Sequence, residues 1–146
     1  MSEVEPINAV RGITAVLGAL VLFSALTQLL EYTLVNASGG DTIKDMPSYL
    51  AALNHTPLLA AKAAGTLMVA VLTGYLTARI AQTRELMFAG LAAAAETCSM
   101  MYGFTMGEYA ALPLWIRVLL VATTGPAMMA GAWIHWQARL AMRDPQ

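Results

Sequence analysis

Four long apolar runs decide what this chain can become. They cover roughly residues 11–35, 57–78, 86–105 and 112–138, and each reaches the ~20 residues a helix needs to cross a ~30 Å hydrocarbon core. In lipid every backbone N–H and C=O needs an internal partner, so runs of this kind fold as helices. The expected class is all-α: an integral membrane four-helix bundle, with four transmembrane helices in one domain over residues 1–146. Composition agrees. The chain is 58% hydrophobic and 12% charged, against about 25% charged in a soluble domain, and that is too little polar surface to coat a globule in water.

A net charge of −1 and the absence of any Lys or Arg cluster argue against a nucleic-acid partner and leave the lipid bilayer as the expected surroundings. One cysteine allows no internal disulfide and no Cys-based zinc site. The stretch "MSEVEPINAVRG" is acidic before Arg11, and the apolar run behind it is longer than that of a secretory leader, so it reads as a first spanning helix. Four crossings put Arg11, Arg79, Arg84, Arg139 and Arg143 on one side, with Lys44, Lys62 and Arg117 on or near the other. The positive-inside rule then places both termini in the cytoplasm, across a bacterial-type cytoplasmic membrane. Trp115 on one side, and Trp133 with Trp136 on the other, fall where interfacial aromatic belts lie. The connections "ARIAQTRE" and "MGEYAAL" are short, so consecutive helices are expected as antiparallel neighbours. One longer outer loop, roughly 36–56, holds Gly39 and Gly40 as helix-ending residues. It also holds "DMPSYLAALNH", read as a short interfacial helix with Asp45 near its N-cap and Pro47 in its first turn.

At 100° per residue the polar residues gather into stripes. Ser24, Thr27, Gln28 and Glu31 share one face of the first helix; Lys62, Thr66, Thr73 and Thr77 share one face of the second. In the fourth, Arg117 and His135 align about five turns apart, near Thr124, Met128 and Gly131. Glu96, in the run "LAAAAETCSMMYG", has Ala89, Ala92, Ala93, Ser99, Met100 and Gly103 on its own face, and small residues let membrane helices approach closely. Met87, Leu91, Cys98 and Met101 occupy the opposite face, which suits lipid or a partner subunit. Glu96 is therefore expected to point inward, about 15 Å from Leu86 and close to the midplane.

An ionised group at that depth costs ~2.5–3.5 kcal/mol on insertion scales, and Arg117 or Lys62 reaching inward is the expected partner. Glu96, Lys62, Glu31, Arg117 and Gln28 make up the expected intramembrane polar network. It reads either as a proton or ligand site or as an internal ion pair that fixes helix register. Pro126, in "VATTGPAMMAG", leaves the carbonyl of Ala122 without its helical donor and is a candidate hinge. Ala70, Gly74 and Ala78 form a small-xxx-small stripe read as internal packing.

No catalytic motif is present: no G-x-S-x-G, H-E-x-x-H, Walker loop or C-x-x-C. His55 and His135 fall near opposite surfaces and cannot share one haem, and the scattered methionines are read as packing material. No enzymatic activity, metal or cofactor is expected. The sequence is read as a small non-enzymatic multi-pass protein, an accessory or assembly subunit of a larger membrane complex. The alternative is a minimal proton-coupled transporter or channel, homo-oligomeric, using the intramembrane carboxylate.

Overall fold

The computed structural model describes residues 4–37 and 46–143, and these contain helices and no strand. Helix α1 spans Val4–Ala37, α2 Met46–Leu53, α3 Thr56–Ala81, α4 Glu85–Met106 and α5 Leu114–Arg143, with a 3-10 turn at Glu108–Ala111. The short helix expected in the long connection is present, with Pro47 in its first turn. Lys44, Asp45, Gly39 and Gly40 lie outside the described residues. Three helices are long and apolar enough to cross a membrane, over Ala9–Ala37, Thr56–Ala81 and Leu114–Met142. Helix α4 is not among them. Its 22 residues are rich in Ala, Gly, Ser and Thr and include Glu85 and Glu96, which hold its mean hydropathy down.

Local chemistry sets the boundaries. Helix α3 begins with Pro57 in its first turn, where the missing N–H costs nothing. It ends at Gln82, whose left-handed backbone lets its N–H bond back to the carbonyl of Ala78. Arg84 is also left-handed, at φ 48°, so α3 and α4 are joined by a turn of only three residues. Helix α5 starts at Leu114, not at Leu112 as the apolar run suggests. Leu112 precedes Pro113 and is extended, at φ −68° and ψ 150°, because the proline ring crowds a helical residue before it.

Helices α1, α3, α4 and α5 meet in two apolar layers, and α3, α4 and α5 in a third. Phe104, Leu112 and Ile116 join Val35 and Leu59 in one; Phe23 and Met128 join Ala70, Ala92 and Ala93 in the next; Ala78, Ala89 and Ala132 form the last. These layers show that α1 and α3, α3 and α4, and α4 and α5 run antiparallel, the last two pairs as their short connections require. The most extensive contact is nevertheless between α3 and α5, which are not consecutive and run parallel. Gly74 and Gly131 account for it. A Cβ on Gly74 would strike the main-chain carbonyl of Met128, and one on Gly131 that of Val71. Backbone lies on backbone, with no room for a side chain.

Candidate functional site: an acid-lined cavity between two apolar layers

Between the Phe104 layer and the Phe23 layer the packing leaves a cavity of about 200 Å³. The polar stripe of α1 and the first half of that of α3 meet there, while the stripe of α5 lines no part of it. Ser24, Thr27, Gln28 and Glu31 of α1 line it with Lys62 and Thr66 of α3 and Glu96 of α4. Phe23 borders it from one apolar layer, Phe104 and Leu120 from the other. Ser24, Gln28 and Ser99 are exposed, and nothing stands within 4 Å of where a Cβ on Gly103 would sit. The cavity therefore opens sideways, between α1 and α4.

One end is tightly bonded. Glu31 Oε1 lies 2.5 Å from Lys62 Nζ, and the two side chains are 10% and 4% exposed. The second oxygen of Glu31 accepts from Tyr49 Oη at 2.5 Å and from Tyr109 Oη at 3.0 Å. Lys62 Nζ also stands 4.8 Å from the centre of the Tyr109 ring, a cation–π contact. A buried ion pair is tolerated only when further hydrogen bonds satisfy what the pair leaves open, and the two phenols do this for Glu31. Burial, together with the hydrogen bond to Glu31 and its charge, pushes the Tyr49 phenol above its ordinary range. It remains a donor.

Glu96 stands differently. It is 7% exposed, yet among the described residues its carboxylate has no ion-pair or hydrogen-bond partner. Both expected partners are engaged elsewhere. Lys62 binds Glu31 on the neighbouring helix. Arg117 Nη1 donates to the carbonyl of Phe104 at 2.9 Å, in the last turn of α4 where carbonyls lack helical donors, and Arg117 forms no part of the cavity wall. The five network residues thus divide. Glu31 and Lys62 cancel, Gln28 sits on the rim, Arg117 caps a helix, and Glu96 is the one unbalanced group facing the cavity.

Pro126 lies inside α5, which continues through it. The Thr123 hydroxyl donates to the carbonyl of Leu119 at 2.6 Å, and the buried Thr124 hydroxyl has no partner among the described residues. Neither therefore serves the carbonyl of Ala122 that the proline leaves open.

The arginine-rich end holds a second polar cluster. Arg11 Nη1 donates to Gln82 Oε1 at 2.7 Å, and Arg139 Nη1 donates to the Gln82 carbonyl at 2.7 Å. Arg139 also pairs with the buried Glu85. His135 Nε2 is 3.9 Å from Glu85 Oε2, and its ring meets that of Tyr75 edge-on at 5.1 Å. Glu85, Tyr49 and Tyr109 are absent from the sequence-derived network. All three lie at helix ends or in connections, where an acid or a phenol raises no alarm. The available signal was the presence of unpaired charges one or two turns away.

No protein family, curated protein or solved structure matches this chain.

Proposed function

We propose that this chain is a four-span protein of a bacterial-type cytoplasmic membrane, with both termini inside, working as a minimal proton-coupled transporter whose binding group is Glu96. The single observation behind this reading is a largely buried carboxyl on a cavity wall that no basic side chain among the described residues neutralises. An intramembrane acid is costly, and an ion pair would have offset that cost had the residue been structural. Left unpaired, it is suited to exchange a proton for a cation.

The fourth span follows from connectivity. If α3 and α5 both cross in the same direction, the chain must return between them. The 22 residues of α4 reach about 33 Å at 1.5 Å per residue. Arg11, Arg79, Arg84, Arg139 and Arg143 at one end set the orientation.

The test is proton-gradient dissipation in proteoliposomes, read with an entrapped pH dye while valinomycin and potassium compensate charge. Wild type and Glu96→Asp should carry protons, and Glu96→Gln should not, at equal amounts of folded protein. Undiminished flux through Glu96→Gln would overturn the reading.

The sideways mouth supports a second reading. Ser24, Gln28 and Ser99 are polar and exposed, a poor surface for lipid and a reasonable one for another subunit. On this reading the chain is a non-enzymatic accessory or assembly subunit of a membrane complex. A stoichiometric partner in the particle extracted by mild detergent would favour it; a lone chain or homo-oligomer would count against it.

A further inference from the structure

Two cavities at the arginine-rich end share walls. The first, about 450 Å³, is bounded by Gln82, Arg84 and Glu85 of the α3–α4 turn and by Trp136 and Arg139 of α5. The second, about 420 Å³, is bounded by Pro126, Met129, Ala130, Trp133 and Trp136 of α5 with Leu86 of α4. Leu86 and Trp136 belong to both. Together they form one trough that is basic at the helix end and apolar below. Along α5, from Arg139 to Pro126, it extends about 20 Å, more than the ~15 Å half-thickness of a hydrocarbon core.

The chemistry of the two ends is complementary to one kind of molecule. Arg84 is exposed, and its guanidinium has no ion-pair or hydrogen-bond partner among the described residues. It is held there by a left-handed backbone that a non-glycine residue seldom adopts. Arg139 uses Nη1 for Gln82 and Glu85, which leaves other guanidinium donors. Among the residues lining the trough, Arg84 and Arg139 against Glu85 leave one positive charge in excess. Trp133 and Trp136 are indoles of the kind that sit at headgroup level. Below them Met129, Ala130 and Pro126 offer only apolar surface.

We infer that this trough binds one anionic glycerophospholipid, its phosphate against Arg84 and Arg139 and one acyl chain lying along α5 toward Pro126. The inference rests on the membrane reading and is independent of Glu96. A zwitterionic lipid brings its own cation toward Arg84 and is disfavoured. A free phosphate ester satisfies the arginines but leaves the apolar half empty.

The test is native mass spectrometry of the full chain in mild detergent. The probes are dioleoylphosphatidylglycerol, dioleoylphosphatidylcholine and glycerol 3-phosphate. Wild type should retain one phosphatidylglycerol at least about tenfold better than phosphatidylcholine, as expected of a charge-assisted contact, and should show no glycerol 3-phosphate adduct. Arg84→Gln should bring phosphatidylglycerol down to the phosphatidylcholine level. Ala130→Trp, which fills the apolar half from an exposed position, should lower retention of both lipids; Ala130→Leu serves if the larger residue disturbs folding.

Equal retention of the two lipids, glycerol 3-phosphate bound as tightly as lipid, or unchanged retention in the variants would each overturn the site. So would a change in dimer content in place of lipid content. Alkaline carbonate washing separates this failure from failure of the membrane reading. A chain that stays in the membrane but retains no lipid sinks only the site.

Discussion

Replacing Lys62 by methionine asks whether the Glu31 pair is held by buried electrostatics. Removing one partner of a buried pair costs about 3–5 kcal/mol, because it strands the other charge. The structure ranks the two halves within that range. Without Lys62, Glu31 keeps the phenols of Tyr49 and Tyr109 at 2.5 and 3.0 Å. Each such bond to a charged group contributes about 1.5–3 kcal/mol, so Lys62→Met should fall near the lower limit, about 3 kcal/mol. Without Glu31, Lys62 keeps only the Tyr109 ring at 4.8 Å among the contacts described above, and cation–π attraction supplies about 0.5–2 kcal/mol. Glu31→Leu should therefore approach 5 kcal/mol.

The double variant removes both charges and leaves two phenols short of an acceptor, a loss of about 1–3 kcal/mol. Two single losses summing to about 8 kcal/mol against a double loss of about 2 kcal/mol would be a large coupling. The assay is reversible unfolding in mixed micelles followed by helical circular dichroism, run as a double-mutant cycle. A Lys62→Met loss below about 0.5 kcal/mol, the range of an ordinary surface substitution, would refute the argument. So would a double variant equal to the sum of the singles.

Three further outcomes are expected. Leucine at Gly74 or Gly131 should destabilise by about 3 kcal/mol or more by forcing α3 and α5 apart. Alanine at Gly18, which meets nothing within 4 Å, should gain about 0.5–1 kcal/mol; unfolding midpoints of both types of variant check the contrast. Tyr49 ionises at a higher pH folded than unfolded, so its contribution is complete below the ordinary phenol value of about 10 and is lost as pH rises beyond it. Unfolding midpoints measured upward from about pH 9 should fall, and the fall should shrink in Tyr49→Phe. Cys98 is exposed on the α4 face away from Glu96. If α4 crosses the bilayer, intact membranes should let a lipophilic maleimide label it and should exclude a charged one, and equal labelling by both would refute that crossing.

The polar stripes were legible because helical periodicity is written in every turn, and the stripe of α1 does line one cavity with Glu96 and with Lys62 and Thr66 of the α3 stripe. Which acid takes which base was not. Two acids and two bases allow several pairings, and periodicity gives the face of each helix without its rotation toward a particular neighbour. Here the choice falls to Tyr49 and Tyr109, which bring two donors to Glu31 from connecting segments. The parallel contact of α3 with α5 was hidden for a related reason. Short connections argue for consecutive neighbours, whereas closeness is governed by side-chain size, and Gly74 and Gly131 are the sites where two main chains touch. That contact also bears on the cavity. Helices α3 and α5 are drawn together at Gly74 and Gly131, while α1 and α4 share far less contact and open at the level of Ser24, Gln28 and Ser99. An acid at Glu96 then faces space in place of a partner. On this argument the two glycines shape the site from the opposite side of the protein, and substituting either should alter the cavity before it touches any residue that lines it.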